Sequence, residues 1–495
     1  MPPKPRYVRM DKDDLAWQKS DEEVESWERS LHNAETYRTI ANLIMKYRPG
    51  EAVELHRPIR GGYNIFYRLE YKDGSSAAMR IPCKGIVKFP EEKVSYEVAT
   101  MRYVAAKTTI PISEIYYCGT GAENPTGLGP FIIMDYIEHE RTMSDALNDP
   151  LIEPGEPHVL DTNISEQKLA FLYRQMANIV LQLSTLTFPQ IGSLVQGKCG
   201  DFSVSGRPLI QNMNSLVEFA GVSPMLLPSQ QYSTSTKWYS AMADMHLAQV
   251  TFQHNDAVLD EEDTRDKYVA RQLFRRLAST GRLAIGFDAD EYSCESMFRL
   301  YSEDLRPSNV LIDKDLCVVG VIDWEFAYVA PAQFSFDPPW WLLLKSPEYW
   351  PGGYTTWMEA YEPRLDTFLT VLEEEEEKMR SKIAGGLSGL SLSNDENMPL
   401  SQRMRKSWES QSWMINYAAR NSWAFDFIFW RFLDSSFFGH NEDREYHARL
   451  NLLTKEEIEA METLVKIKME ERKVRKLVEW DHNSAVAQIA KVIVM

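Results

Sequence analysis

The chain is poor in cysteine, and its cysteines and histidines show no metal-binding spacing. Its 495 residues include five cysteines, an odd number, scattered along the chain without a CxxC pair. A disulfide framework is therefore not expected. The cysteines are expected to be reduced thiols in a cytosolic-type compartment. The nine histidines form no HExxH motif, which disfavours a metallohydrolase. The cysteines are Cys83, Cys118, Cys199, Cys294 and Cys317.

A surplus of positive charge and long apolar runs are also missing. The chain has 54 Lys and Arg against 72 Asp and Glu, a formal net charge of −18. Nucleic acid and anionic lipid attract proteins with a basic surplus, so neither nucleic acid nor membrane is expected as a partner. No run approaches about 18 apolar residues, and the first residues lack the apolar core of a signal peptide. We therefore expect a soluble, cytoplasmic protein with small-molecule or protein partners.

The sequence changes in character near residue 50 and again near residue 138. Residues 64–71 and 76–81 are β-type runs joined by Lys-Asp-Gly-Ser, which predicts an antiparallel hairpin, and residues 91–107 have helical periodicity. Beyond residue 138, helical patterns dominate, beginning with a helix for which Ser165 is the expected N-cap. The polar stretches 253–256 and 260–263 are expected to be surface connections. The predicted order is a helical N-terminal extension (1–50), a small β lobe (51–137), a helical lobe (138–380), a flexible linker (381–400) and C-terminal helices packed on the helical lobe (401–495).

The most informative segment is residues 303–313, which read EDLRPSNVLID and are followed by VIDWEF at 321–326. Asp304 and Asn309 are five positions apart, as in the D-x4-N pattern of kinase catalytic loops. In phosphoryl transfer one carboxylate orients the attacking hydroxyl, while an Asn amide and a second carboxylate hold Mg²⁺. A short hairpin between the two segments would bring Asp323 back beside Asn309. D-x4-N alone is weak, because Asp and Asn are common in loops.

These segments resemble the fungal branch of the aminoglycoside phosphotransferase-like family. The resemblance covers roughly residues 50 to 350 and includes FDPPWWLL at 336–343, IGSL at 191–194 and GRPL at 206–209. It implies an α+β, protein-kinase-like bilobal fold, with a small antiparallel β-sheet lobe and a larger, mainly helical lobe. It also implies ATP with Mg²⁺ as cofactors and transfer of the γ-phosphate to a hydroxyl of a small molecule, whose identity it leaves open.

The small lobe supplies further candidates. By the kinase scheme, Arg80 at the end of the hairpin should bind phosphates and pair with Glu97 on the following helix. The alternative is that the two residues do not pair: Arg80 would then simply end its strand, and Glu97 would flank the apolar face of its helix. Gly61 and Gly62 fit a phosphate-covering turn, since glycine lets backbone N–H groups approach an anion, although two glycines also suit an ordinary turn.

Two more candidates follow from the apolar run at 131–137. Met134 and Tyr136 should belong to the hinge between the lobes, whose backbone contacts adenine. The alternative is that this apolar segment is simply a strand of the core. Acceptor choice is expected in the helical lobe, including residues 211–290, where acidic groups could attract a cationic or polyhydroxyl compound.

Several positions depart from the family pattern. Ser302 stands where many relatives have a His, Glu303 replaces a Gly, and Arg80 replaces the usual Lys. The substitutions at Ser302 and Arg80 leave open an alternative, a catalytically weak or inactive pseudokinase that acts as a nucleotide-binding or scaffold protein. Glu325 is interpreted as a structural ion-pair partner, with contact to a second metal as the alternative. A protein kinase is disfavoured because Ala330-Pro331 follows Asp323 too closely for an activation segment.

Overall fold

The computed structural model describes residues 10–286, 298–385 and 398–494, and these residues form an α+β protein. A small antiparallel sheet lies in the N-terminal part, and a larger, mainly helical part follows, so the expected fold class is confirmed. Cys294, most of the predicted linker 381–400 and the end of the predicted acceptor range 211–290 lie outside the described residues. No described helix is both long and apolar enough to span a membrane.

Seventeen α-helices and fourteen strands are found in the described ranges. The helices are α1 (Asp14–Leu31), α2 (Ala34–Tyr47), α3 (Pro90–Lys107), α4 (Met143–Leu147), α5 (Glu166–Ser184), α6 (Gln211–Ala220), α7 (Ser235–Phe252), α8 (Glu261–Ser279), α9 (Arg282–Ile285), α10 (Ala332–Phe336), α11 (Gly353–Gly385), α12 (Leu400–Glu409), α13 (Trp413–Arg420), α14 (Phe425–Ile428), α15 (Asp434–Phe438), α16 (Lys455–Glu471) and α17 (His482–Ile489). The strands are β1 (Ala52–Leu55), β2 (Ile59–Arg60), β3 (Asn64–Tyr71), β4 (Ser76–Pro82), β5 (Ile115–Gly119), β6 (Phe131–Asp135), β7 (Arg141–Thr142), β8 (Thr187–Phe188), β9 (Ser193–Gln196), β10 (Phe202–Gly206), β11 (Phe298–Ser302), β12 (Val310–Ile312), β13 (Val318–Val321) and β14 (Ala327–Pro331).

The small lobe is a six-stranded antiparallel sheet in which β4 is a central strand. The strand order is β1-β3-β4-β6-β5, with β2 also paired to β3. The predicted hairpin is β3–β4, and its turn uses Gly74 at φ +83°, a conformation that favours glycine. Side chains alternate along β4, so Met79 and Ile81 belong to the outer core and Arg80 faces the opposite side. This alternation directs Arg80 toward α3 and the helical lobe.

The N-terminal extension is helical, as predicted, and covers the outer face of the sheet. Asp13 caps α1 and Asn33 caps α2 through side-chain acceptors for backbone N–H groups of the first turn. Apolar residues of both helices share one buried core with the sheet: Trp27, Leu31, Ile40, Leu43, Ile44, Tyr67, Leu69, Met79 and Ile81. Because the sheet is thereby covered on this face, its other face is the one available for a site.

The helical lobe contains one extended core in which α5, α7 and α8 are deeply buried. Ser165 caps α5 as expected from the sequence. Two polar stretches expected to be surface connections differ from that expectation in different ways. Residues 260–263 are mostly exposed but form the cap and first turn of α8, whereas Gln253, His254 and Asn255 are buried. Their side chains hydrogen-bond to groups near both ends of the chain, which satisfies the buried polar atoms.

The C-terminal helices pack against the helical lobe. α16 lies on α8, where Arg265 binds Glu462 at 2.8 Å and Arg276 binds Glu457 at 2.8 Å. α12 and α13 lie on α10 and α11. The predicted domain boundaries between the lobes, the linker and the C-terminal helices stay a prediction. The described helices and strands nevertheless change in type near the positions where the sequence changes in character.

Candidate active site

The loop after β11 holds Asp304 and Asn309 together. The amide nitrogen of Asn309 donates to the backbone oxygen and to Oδ2 of Asp304, both at 2.8 Å. Arg306 Nε lies 2.9 Å from Asp304 Oδ1. A 3₁₀ turn, Pro307–Asn309, makes this loop tight enough for the two side chains to meet. Both Asp304 oxygens are therefore fixed in direction before any ligand arrives.

The predicted hairpin is β12–β13, and it returns the chain to the same place. Val310 pairs with Val321, and the Ile322 N–H donates to the Asn309 carbonyl at 2.9 Å. Asp323 follows directly, with φ 58°, a left-handed conformation that is uncommon for a residue other than glycine. Strained backbone of this kind is often retained at functional sites. The structure thus brings Asp304, Asn309 and Asp323 into one neighbourhood.

The donor set at this loop suits a magnesium ion that shares its coordination with phosphate and water. The Asn309 amide nitrogen is used by Asp304, which leaves its oxygen as the atom for a cation, and the Asp323 side chain is 31% exposed. In the ranges 10–286, 298–385 and 398–494, no three His, Cys, Asp or Glu side chains converge as a metal cage. Mg²⁺ is usually held by one or two protein oxygens plus phosphates rather than by such a cage.

Arg80 lies in a buried ion network that joins the two lobes. Its guanidinium donates to Glu97 of α3 and to Asp323, and it lies 3.2 Å from Glu325 Oε2. The expected Arg80–Glu97 ion pair is present. Burial lowers the pKa of Arg80, but the three carboxylates outweigh this effect and raise it. Arg80 therefore remains charged and holds a helix of the small lobe against the loop of Asp323.

Sequence reasoning missed Lys93 and Asn64, which complete the network. Lys93 Nζ lies 2.5 Å from Glu325 Oε2, 2.8 Å from Asn64 Oδ1 and 3.5 Å from Glu97 Oε2, and its side chain is fully buried. The Asn64 amide nitrogen donates to Glu325 at 2.7 Å. Burial raises the pKa of Glu325, while Lys93 and Arg80 lower it, and the net pKa is lowered. Glu325 is thus an ion-pair partner here, in agreement with the preferred interpretation.

The five charged groups of this network do not balance. Two cations, Arg80 and Lys93, face three carboxylates, Glu97, Asp323 and Glu325. Buried charge in excess is unfavourable unless a counter-ion is near. Asp323 is the carboxylate closest to solvent, and burial raises its pKa although Arg80 lowers it, so the excess charge can be neutralised there by a proton or by an added cation.

Gly61 and Gly62 lie in the exposed turn between β2 and β3, but their surroundings differ. The Gly61 N–H donates to the Asn64 carbonyl at 2.8 Å, so this donor is taken within the turn. A Cβ atom at Gly62 would meet nothing within 4 Å. Gly62 is therefore the glycine with open space around it. The next residue, Tyr63, accepts a hydrogen bond from the Gln211 side chain at 2.9 Å, which ties the turn to the start of α6.

The predicted hinge residues end strand β6. Met134 pairs with Ala78 and Ile115 on the two neighbouring strands. The Tyr136 N–H donates to the Ser76 carbonyl at 3.1 Å, so this donor serves the sheet. The Tyr136 ring lies under the Arg68 guanidinium at 4.3 Å. A contact between this segment and adenine would therefore use backbone atoms other than the Tyr136 N–H.

A cleft of about 340 Å³ opens in front of Asp304. Only three of its lining residues, Gln211, Asn212 and Ser215, fall in the range expected to select the acceptor. Most of the other lining residues come from two segments, 340–349 and 417–424, and Lys12 adds a contact from the N-terminal extension. The lining outside the expected range is Lys12, Glu303, Asp304, Arg306, Trp340, Ser346, Glu348, Tyr349, Tyr417, Arg420, Asn421, Ser422, Trp423 and Ala424. A smaller aromatic cavity of about 90 Å³ adjoins the cleft and shares four residues with it: Glu303, Trp340, Tyr417 and Arg420.

Comparison with known proteins fits this geometry. A family model described as "Phosphotransferase enzyme family" matches residues 56–369, which is well over half of the chain. The chain belongs to the phosphotransferase enzyme family. Asp304, Asn309, Asp323, Arg80 and Glu97 all lie inside the matched residues.

Curated relatives of this family member are distant fungal proteins. "Altered inheritance of mitochondria protein 9, mitochondrial" from Zygosaccharomyces rouxii is 28% identical over 32% of this chain and 25% of its own length. The protein of the same name from Clavispora lusitaniae is 27% identical over 55% of this chain and 47% of its own length. A subtelomeric hrmA-associated cluster protein from Aspergillus fumigatus is 28% identical over 28% and 24%. The chain spans half or less of the length of these relatives.

Solved structures of phosphotransferases are similar only at a low level. Plasmodium vivax ethanolamine kinase is 10% identical, with 99% of this chain and 97% of that chain covered and a TM-score of 0.41. An aminoglycoside phosphotransferase in a ternary complex with AMP-PNP and hygromycin B is 15% identical, with 75% and 99% covered and a TM-score of 0.34. Scores below 0.5 assign neither a substrate nor a cofactor to this chain.

The comparison corrects one expectation. A cytoplasmic location, inferred from the scattered cysteines and the first residues, is wrong, because relatives from several yeasts are named as mitochondrial proteins. Reduced cysteines therefore did not discriminate between intracellular compartments.

One departure from the family pattern has a structural explanation. Glu303, in place of Gly, accepts a hydrogen bond from the Gln211 N–H at 2.7 Å, at the first residue of α6. A carboxylate is stabilising at a helix N-terminus, where N–H groups have no intrahelical partner. Burial nevertheless raises the pKa of Glu303 to about 7, although the Gln211 N–H lowers it. The loop that holds Asp304 is thus braced against α6 by Glu303.

Glu303→Gln should change stability in a pH-dependent way. The folded pKa of about 7 lies above the unfolded value of about 4.3, so the folded state binds the proton more tightly. The favourable contribution of the protonated group is complete below pH 4.3 and is lost as pH rises to 7. The Gln variant should therefore gain unfolding free energy relative to wild type between pH 5 and pH 8, by at most about 3 kcal/mol. Urea unfolding at both pH values measures this; an equal difference at both would contradict it.

Proposed function

We propose that this protein is an ATP- and Mg²⁺-dependent phosphotransferase that moves the γ-phosphate to a hydroxyl group of a small molecule. One observation carries the proposal: Asn309 is bonded to Asp304 through its side chain and to the chain next to Asp323 through its carbonyl. Phosphoryl transfer depends on positioning and charge stabilisation, and this arrangement supplies both. Membership of the phosphotransferase enzyme family supports the same reaction type.

The proposed roles follow from the contacts. Asp304 accepts or orients the proton of the acceptor hydroxyl; burial, opposed by Arg306, raises its pKa to about 6, close to the range useful for a general base. Asn309 and Asp323 would hold Mg²⁺, which when bound neutralises phosphate charge. Arg80 faces the same region and would bind the phosphates, with Glu97 holding its guanidinium in place.

The nucleotide would lie between the lobes. Gly62, with open space around it, and Gly61 would form the turn over the phosphates, and residues 134–136 would meet the adenine through backbone atoms. These assignments rest on position in the fold. They are supported by the Tyr63–Gln211 hydrogen bond, which holds the glycine turn close to the start of α6 and to Glu303 of the catalytic loop.

The cleft in front of Asp304 would bind the acceptor. Its charged groups are largely matched within the protein: Arg306 pairs with Asp304, and Glu348 accepts hydrogen bonds from Tyr354 and Tyr417. What remains is a mixture of amides, hydroxyls and aromatic rings. Such a lining favours a neutral or weakly charged polyhydroxyl acceptor, whose hydroxyls bind the amides and whose carbon faces pack on the rings.

The first test is nucleotide binding by the wild-type protein. Isothermal titration with Mg·AMP-PNP should give one site per chain, and a concentration 100 times the dissociation constant should add about 2.7 kcal/mol to the unfolding free energy. EDTA should weaken binding, because Asp323 and phosphate are then left without the cation. ADP release should next be screened with sugars, aminoglycosides, amino alcohols and choline. No binding with or without Mg²⁺ would overturn the proposal.

A second candidate is a pseudokinase, and one contact favours it. Arg80 donates directly to Asp323, the carboxylate that would hold the cation. If that ion pair persists when nucleotide is added, the protein would bind the nucleotide without transferring phosphate. Binding of AMP-PNP with equal affinity in Mg²⁺ and in EDTA, together with no ADP release from any acceptor, would support this candidate over the first.

We also propose a mitochondrial location, on the support of the names of the yeast relatives. Cell fractionation with an antibody against the untagged protein tests it. Recovery only in the cytosolic fraction would overturn this part of the proposal without affecting the chemistry.

A further inference from the structure

Lys93 is a buried cation on α3, and its ammonium lies among protein oxygens. It contacts Asn64 Oδ1 at 2.8 Å, Glu325 Oε2 at 2.5 Å and Glu97 Oε2 at 3.5 Å. Asn64 and Glu325 take two of the three donors of the ammonium, while Glu97 Oε2 is an ion-pair partner that accepts no hydrogen bond from the described residues. Burying such a charge is costly unless it is paired and hydrogen-bonded. The sequence therefore keeps a costly cation at a position where an apolar residue would simply extend the buried face of α3.

The three partners of Lys93 belong to different parts of the fold. Asn64 begins β3, directly after the glycine turn. Glu97 lies one turn further along α3, and Glu325 lies in the helical lobe, two residues after Asp323. Asn64 also donates to Glu325 at 2.7 Å, so these side chains form a closed triangle. We call Asn64, Lys93 and Glu325 the interlobe triad.

Arg80 also crosses between the lobes, but its situation differs. Its partner Asp323 has a side chain that is 31% exposed, so a nucleotide and a cation bound beside it would compete for both groups. The Lys93 and Glu325 side chains are 0% and 4% exposed. No ligand in the cleft could reach Lys93 without unpacking α3. The interlobe triad can therefore remain intact while the partners of Arg80 change.

We propose that Lys93 is a positioning residue, which holds the glycine turn and the Asp323 loop in register across the cleft through Asn64 and Glu325. This role rests on the proposed nucleotide site, because register across the cleft has a consequence only if the nucleotide binds there. Lys93 itself touches neither phosphate nor acceptor. Its effect reaches the nucleotide through the two segments that would surround the phosphates.

The test compares Lys93→Met with Lys107→Met, an exposed lysine on the same helix. Two readouts are used on the full chain: the Mg·AMP-PNP dissociation constant, and amide hydrogen exchange without nucleotide. Lys93→Met should raise the dissociation constant about 10–100-fold, as loss of a supporting partner usually does. It should also speed exchange in peptides covering residues 59–64 and 322–326. Lys107→Met should change neither.

The double variant Lys93→Met/Glu325→Gln separates positioning from stability. Removing both charges relieves the unpaired carboxylate, so its melting temperature should recover relative to Lys93→Met. Nucleotide affinity should stay low and exchange fast, because the bridge between the lobes is still missing. The double variant also serves if Lys93→Met fails to fold.

Three results would overturn the inference: a wild-type dissociation constant in Lys93→Met, unchanged exchange in both peptides, or recovery of affinity together with stability in the double variant. If the wild-type protein itself fails to bind Mg·AMP-PNP, the proposed function fails. The exchange experiment still decides in that case whether Lys93 holds the two segments together.

Discussion

Asp304→Asn should lower turnover about 10²- to 10⁴-fold, the range typical of losing a general base, while nucleotide affinity stays close to wild type. Asn has nearly the same shape but keeps one acceptor oxygen where Asp304 uses two, so it can accept from Arg306 or from the Asn309 amide but not from both. The hydrogen bond from the Asn309 amide to the Asp304 backbone oxygen is unchanged and should hold the loop in place. Asn cannot take a proton from the acceptor. The effect should therefore fall on turnover, with little change in the Michaelis constant for ATP.

ADP release with the best acceptor from the screen measures this, together with titration of Mg·AMP-PNP. Asp315→Asn is the matched control, because it makes the same change at an exposed position of the β12–β13 hairpin. Equal turnover in Asp304→Asn and wild type would remove Asp304 from the mechanism. A parallel loss of nucleotide affinity would instead assign it to binding.

Arg80→Met should be the most destabilising single change in the site. It leaves Glu97, Asp323 and Glu325 with Lys93 as the remaining cation of the network, and breaking a buried ion pair from one side costs about 3–5 kcal/mol. Nucleotide affinity should also fall, because the proposed phosphate ligand is gone. Arg80→Lys keeps the charge but lacks the planar fork that reaches several carboxylates at once, so an intermediate loss is expected.

Urea unfolding of the variants gives the stability change. Arg60→Met is the matched control, since Arg60 forms an ion pair with Glu28 at 3.2 Å but is 41% exposed. Exposed pairs contribute about 0–1 kcal/mol, so this control should remain near wild type. If Arg80→Met is as stable as Arg60→Met, the buried network does not hold the lobes together.

The parts of the site that were predictable depend on short-range patterns. The β12–β13 hairpin is encoded within residues 310–321, so the approach of Asp323 to Asn309 follows from local sequence. The pairing of Arg80 with Glu97 was predictable because the periodicity of a strand and of a helix shows which face each side chain lies on. These signals do not depend on the rest of the chain.

Lys93 was missed because a lysine on a helix is normally solvent-exposed. A usable signal did exist: Lys93 precedes Glu97 by four residues and Val94 by one, so it borders the same apolar stripe. The cleft beside Asp304 had no comparable signal. Its segments, 340–349 and 417–424, lie far apart in sequence and meet only through tertiary packing.

Polarity misled the interpretation of residues 253–256. Polar stretches are usually exposed, but this one hydrogen-bonds to chain segments more than 200 residues away. A periodicity argument considers one segment at a time and cannot register such a partner. Local sequence therefore predicted elements and their faces well, and long-range polar contacts poorly.

The two ends of the described chain meet on the same part of the helical lobe. Asp13 accepts hydrogen bonds from Asn255, Arg475 binds both Asp14 and Asp256, and the Met10 N–H donates to the Trp423 carbonyl at 2.8 Å. An expression fragment trimmed to residues 56–369 would uncover the outer sheet face and remove α16 from the surface of α8. Such a fragment should be insoluble, and limited proteolysis of the intact protein should leave these terminal helices among the last regions to be cut.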